Sequence, residues 1–100
     1  MDKKQFFLKL IPPRPTFSQD MTDEERSIMR KHVDYWMAVM HKGMIIAYGP
    51  VFDPMGAYGI GIIEVETELE AKNFADNDPA PLAGLGHYEI YPMKAVTPGK

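Results

Sequence analysis

MIIAYGPVFDPMGAYGIGIIEV, residues 44–65, is the stretch on which the choice of fold turns. Met44 to Val51 and Tyr58 to Val65 are short apolar runs, and Asp53-Pro54-Met55-Gly56 between them is a turn sequence. Two such runs around a turn read as a β-hairpin. The segments on either side then decide what the hairpin belongs to.

Upstream, a helix begins at Thr22. Thr22 and Glu25 have the spacing of a capping box, in which each side chain satisfies a free backbone N–H of the first turn. Asp23 and Glu24 add negative charge where the helix dipole favours it. Lys42 falls in the last turn, and Gly43 suits the left-handed stop. Downstream, Thr67 and Glu70 repeat the capping-box spacing and open a second helix. Pro79 disfavours helical geometry at Asp78, so this helix ends near Asn77 or Asp78.

Further out, Gln5 to Ile11 (QFFLKLI) reads as a strand stopped by Pro12-Pro13. PPRPTFSQD, residues 12–20, reads as a loop, because three prolines in four positions forbid helix and central strand. DPAPLAGLG is a second loop, Tyr88 to Tyr91 lies in a last strand, and TPGK reads as a loose tail. The order is strand, helix, strand, strand, helix, strand. With right-handed crossovers this gives an α+β, ferredoxin-like βαββαβ fold: a four-stranded antiparallel sheet with both helices on one face. One domain over residues 1–93 is expected, with 94–100 as the tail.

Helices on one side leave the other side of the sheet bare. Phe7 and Ile11 point opposite to Phe6, Leu8 and Leu10, and the Met44–Val51 strand is apolar on both faces. A solvated face alternates with polar residues. A second copy of the sheet is the simplest cover, so a homodimer through the sheet face is expected.

Composition excludes several function classes. The net charge is −3 with acids and bases mixed, which argues against nucleic acid and against an anionic membrane surface. The absence of cysteine rules out disulfides, thiolate catalysis and Cys-ligated zinc. The apolar run near the N-terminus spans only about six residues and is broken by Lys9, unlike a signal peptide. The expected setting is cytoplasmic. His32, His41 and His87 lie on separate elements without metal-ligand spacing, so no metal is expected. The glycines at 56, 59 and 61 open a strand, not a helix, and make no nucleotide fingerprint. Ser18 and Ser27 lack a nucleophile-elbow context. No cofactor is expected.

The remaining chemistry centres on RKHVDYW, residues 30–36. At about 100° per residue, with Ile28 at zero, His32 falls at about 40°, Trp36 at about 80°, Met29 at about 100°, Met40 at about 120° and Val33 at about 140°. Arg30, Lys31 and Asp34 take the opposite side. His32 therefore faces the sheet, and His41 faces solvent. An inward imidazole must have its nitrogens hydrogen-bonded, which a structural histidine also satisfies. A working histidine needs one nitrogen oriented by a partner and the other left free in a cavity. Arg14, Asp20, Asp53 and Asp78 lie in loops that this topology gathers at one end. Gly59 and Gly61 share a strand face, leaving a trough or a close helix–sheet contact.

The motifs HVDYW, GMIIAYGP, GAYGIGIIEVE, NDPA and YEIYPM, in this order over about Phe6 to Met93, resemble the YCII-related (YciI-like) family. The resemblance implies a ferredoxin-like fold pairing as a dimeric α+β barrel. It also implies an active site of one histidine and one aspartate, matching His32 and Asp78. One branch of the family eliminates hydrogen chloride from a chlorinated hydroxyquinol, and most members have no assigned reaction. This chain departs from the pattern in a longer IPPRPTFSQDMTDEE link and in Ala80, which stands where an aromatic often follows Asp-Pro.

Together these readings point to a small cofactor-free enzyme. His32 would be general acid or base held by Asp78, acting by elimination or isomerisation on a small cyclic or aromatic metabolite. Arg14 would hold an anionic group, and Trp36, Tyr48 and Phe52 would wall the pocket. The alternatives are a non-catalytic ligand-binding or accessory dimer, and a His32–Asp78 pair that only fastens helix to loop.

Overall fold

The structure is a computed structural model and describes residues 3–98. Residues 1, 2, 99 and 100, the last two of them the end of the expected tail, lie outside it. The chain forms β1 (Lys4–Ile11), α1 (Phe17–Asp20), α2 (Asp23–Met40), β2 (Ile45–Val51), β3 (Tyr58–Val65), α3 (Glu68–Asp76), α4 (Pro79–Leu82) and β4 (His87–Met93). The four strands make one antiparallel sheet in the order β2-β3-β1-β4. This is the ferredoxin-like α+β arrangement expected from the order of elements.

Both capping boxes are formed. Thr22 accepts from the Glu25 N–H at 3.1 Å while Glu25 accepts from the Thr22 N–H at 2.9 Å. Thr67 and Glu70 repeat the exchange at 3.2 and 3.1 Å. Gly43 stops the first long helix with φ +80, a conformation open to glycine at little cost. Lys42 lies just past the last turn, not within it.

The two segments read as loops each contain a single helical turn, α1 and α4. Proline blocks the interior of a helix but is compatible with its first turn, and Pro79 occupies that position in α4. In the first segment the turn starts only after Pro15, at Phe17, whose ring is buried.

The core lies between the sheet and the two long helices. Phe6, Leu8, Ile63 and Val65 from the sheet pack with Trp36, Ala71 and Phe74 from the helices. Period-two alternation puts Phe7 on the outer face, paired with Ile62 on one side and Tyr91 on the other. Phe7 is only half-buried and Tyr91 is 50% exposed, so an apolar patch crosses the middle of that face. Along α2 the buried stripe is narrower than the periodicity predicts. Trp36 is buried, but Val33 and Met40, at the stripe's edge, are exposed. A helix on a flat sheet buries a narrower arc than one enclosed on several sides.

A register irregularity between Ile45 and Ala47 adjusts β2 against β3. It keeps both Ile45, opposite Ile63, and Tyr48, opposite Gly61, on the helix side. That shift delivers Tyr48 to the site described next.

Candidate active site

Asp78 is the only charged side chain buried in the core among the described residues, with no solvent exposure. Its position follows from its neighbour. Pro79 cannot continue α3 and holds Asp78 extended, at φ −67 and ψ 134. Asp78 becomes the N-cap of α4, and its Oδ1 accepts from the Ala80 N–H at 2.9 Å. Three side chains complete its surroundings. His32 Nδ1 lies 2.9 Å from Oδ1 and 2.8 Å from Oδ2. Trp36 Nε1 donates to Oδ2 at 2.8 Å, and the Tyr88 hydroxyl donates to Oδ2 at 2.6 Å.

This arrangement fixes the charge of the carboxyl. Burial pushes it towards the neutral form, but the hydrogen bonds from His32, Tyr88 and Ala80 outweigh burial and hold it below the ordinary carboxylate range. A buried charge is tolerated when its lone pairs are met by donors in good geometry. Burial first, and the Asp78 charge second, push the Tyr88 hydroxyl well above its usual value, so it stays a donor. The Tyr35 hydroxyl is raised by the same two causes and donates to the Phe74 carbonyl at 2.8 Å.

An ionised carboxylate facing Nδ1 requires a proton there, since two acceptors would repel. Nδ1 therefore carries a proton, and whenever the ring is neutral the lone pair is on Nε2. Nε2 makes no hydrogen bond among the described residues, and the ring borders a cavity of about 270 Å³. A cavity of about 150 Å³ takes benzene, so this one has room for a substituted ring.

Trp36 shapes the inner wall. A Cβ on Gly61 would collide with the Trp36 ring, so Gly61 lets the indole lie directly on the sheet. Of the two roles open to this glycine, close helix–sheet packing is the one realised. The indole also meets Phe74 edge-on at 4.8 Å and Tyr48 at 5.4 Å, and Nε1 shares its hydrogen between Asp78 and the Tyr88 oxygen, the latter at 3.0 Å.

Of the six residues singled out from sequence, His32, Trp36 and Tyr48 border the cavity, and Asp78 lies directly behind His32. Arg14 and Phe52 are not part of the cavity lining. The Arg14 guanidinium is engaged by Glu25 and Asp20, at 2.8 and 2.9 Å, and Phe52 is 82% exposed in the hairpin turn. Strand alternation ends before Phe52, so nothing turns it inward. Tyr88 was not anticipated. The signal available was the alternation of β4, which puts Tyr88 and Ile90 on the helix side.

The model of the YCII-related domain matches residues 6–96. The chain belongs to the YCII-related family. Among solved structures, it is similar to 5-chloro-2-hydroxyhydroquinone dehydrochlorinase (TftG) from Burkholderia phenoliruptrix AC1100, determined in complex with 2,5-dihydroxybenzoquinone. The identity is 25%, the TM-score is 0.65, and the match covers 89% of this chain and 93% of that one. No curated protein matches. Among the described residues, no helix is long and apolar enough to cross a membrane.

Proposed function

We propose that this member of the family is an acid–base enzyme acting on a small cyclic compound by elimination or isomerisation. The observation that carries the reading is the His32–Asp78 pair: one imidazole nitrogen sits on a buried carboxylate while the other edge of the ring meets a cavity. His32 Nε2 would take a proton from the bound compound. The electron pair left behind then either expels a leaving group from the adjacent atom or is reprotonated elsewhere by the imidazolium. Asp78 stabilises that imidazolium without itself accepting the proton. Such catalysis typically contributes about 10² to 10⁴ in rate. The dehydrochlorinase likeness supports elimination as the first reaction to test.

The test is a panel of hydroxylated and halogenated ring compounds, incubated with wild type and His32→Gln, with products read by mass spectrometry. We expect turnover of at least one compound by wild type and its loss in a variant that keeps its fold by circular dichroism. Equal turnover by both proteins refutes the role of His32. Ligands that bind and are recovered unchanged favour a binding module.

A homodimer belongs to the same proposal. The Phe7–Ile62–Tyr91 patch is apolar where a solvated sheet alternates, and a two-fold copy would cover it. Light scattering should give the mass of two chains for wild type and of one for Phe7→Lys. A monomeric wild type at micromolar concentration overturns it. A reducing, cytoplasmic setting is part of this reading too, since a chain without cysteine has no need of an oxidising compartment.

A further inference from the structure

The cavity's chemistry narrows the compounds it accepts. Among the described residues lining it, none is Lys, Arg, Asp or Glu. Its residues with polar side chains are His32, Ser18 and three tyrosines, and the rest are proline, glycine, alanine, aliphatic, methionine and aromatic residues. Arg14, which lies between the lining residues Pro12 and Phe17, is committed elsewhere. Nη1 and Nη2 grip the two oxygens of Glu25 at 3.0 and 2.8 Å, Nε donates to Asp20 Oδ1 at 2.9 Å, and Nη2 also donates to the Asp20 carbonyl at 3.0 Å. To meet an anion, Arg14 would have to leave both carboxylates. Its guanidinium lies over the Phe17 ring at 5.2 Å, and it is Phe17 that borders the cavity. Lys9 stands over the Tyr58 ring at 4.4 Å, on the sheet face away from the helices by strand alternation. Arg26 and Arg30 line an adjoining open groove that shares Met21, Met29 and Val33 with the cavity and also holds Asp34, with Arg26 bridged to Asp23 at 3.2 Å; neither arginine is among the cavity's own lining residues.

A ligand carboxylate or phosphate here would lose its water and gain no cation, an unfavourable exchange. The one lining side chain that can become a cation is His32, and only after it has taken a proton. Resting on the acid–base reading of His32, we propose that the site selects ring compounds that enter uncharged and carry an ionisable ring hydroxyl, a phenol or an enol, and rejects those with a carboxylate, sulfonate or phosphate. The hydroxyl proton passes from ring oxygen to Nε2. A neutral ligand beside a neutral imidazole becomes an oxyanion beside an imidazolium, with the Asp78 carboxylate behind it, and no net charge enters the cavity. The residues 12–21 strap supplies Pro12, Phe17 and Met21 to this wall, and the Arg14 clamp holds it in place.

Isothermal titration calorimetry at neutral pH with methyl 2,5-dihydroxybenzoate, hydroquinone and 2,5-dihydroxybenzoate tests this. We expect the ester and hydroquinone to bind and the acid to bind at least about 30-fold more weakly than the ester. Val33→Lys, which puts a cation at the exposed cavity wall, should raise affinity for the acid about tenfold and leave hydroquinone little changed. An acid that binds wild type as well as the ester overturns the inference. So does failure of both uncharged compounds to bind at millimolar concentration, or an acid affinity unmoved by Val33→Lys, which would make shape the cause. Selective binding with no turnover of any ring compound would leave the selectivity standing and remove the catalytic reading.

Discussion

Asp78→Asn separates a catalytic pair from a structural one. The aspartate accepts from His32, Trp36, Tyr88 and the Ala80 N–H, all at 2.9 Å or less. An amide of the same shape keeps one oxygen and turns an NH₂ towards the donors. The remaining oxygen can serve two of them. Trp36 retains the Tyr88 oxygen at 3.0 Å, and His32 can answer the new N–H by moving its proton from Nδ1 to Nε2. Three charge-assisted side-chain bonds thus become neutral ones, a loss of about 1 kcal/mol each, giving about 2–4 kcal/mol in total. At about 4–8 °C per kcal/mol for a domain of this size, Tm should fall by roughly 10–25 °C. The changed tautomer is the sharper consequence, because it leaves a donor where the proposed function needs a base. In hydrolytic triads the same exchange lowers turnover about 10⁴-fold. Two-bond ¹H–¹⁵N correlation spectra of the imidazole report which nitrogen carries the proton. The reasoning fails if the variant melts within about 3 °C of wild type, or keeps Nδ1–H with turnover intact.

Gly61→Ala places a methyl group against the Trp36 ring, and overpacking of this kind costs about 1–3 kcal/mol. Because the displaced indole also loses its bond to Asp78, urea denaturation should find the upper part of that range; unchanged stability would show that Gly61 is not what lets the indole lie on the sheet. Acid should weaken the fold through carboxyls held below their ordinary range, which are Asp78, Glu25 and Asp20, the last lowered first by the Thr16 hydroxyl. Asp78 is held below the ordinary range, and Glu25 is held down to about 2, first by Arg14 and then by the Thr22 N–H. A depressed folded value gives stability that is fully present above the unfolded value and lost as pH falls through the folded one. Urea midpoints should therefore hold down to about pH 5 and decline towards about pH 2, less steeply in Asp78→Asn. A rise in stability over that window would contradict the assignment.

The sequence carried the frame of this molecule because its signals are local. Each capping box is written in four residues, and the alternation Phe6, Leu8, Leu10 is enough to name the buried face of β1. His32 was readable for the same reason, since helical spacing alone turns it inward with Trp36. Asp78 needed the family pattern, because nothing within the Asn-Asp-Pro segment says which carboxylate meets which helix. Arg14 and Phe52 were expected at the pocket and do not line it, because the direction of a loop side chain is set by how the loop folds and not by a local period. Arg14 is drawn to Glu25, eleven positions away, and that pairing depends on how the strap folds back on α2. Tyr88 escaped because strand alternation gives a direction but not a partner, and Asp78 comes within reach only once β4 is paired with β1.

Trp36 is the one tryptophan of the chain, and its ring nitrogen donates to the carboxylate that orients His32 while its face borders the cavity. The protein therefore carries its own fluorophore at the centre of the site. Neutralising Asp78, moving Tyr88 or filling the cavity must each alter the polarity around one indole, and no other indole dilutes the signal. Emission wavelength and lifetime should therefore report changes at Asp78 and in the cavity, in unlabelled protein and at concentrations far below those needed for calorimetry.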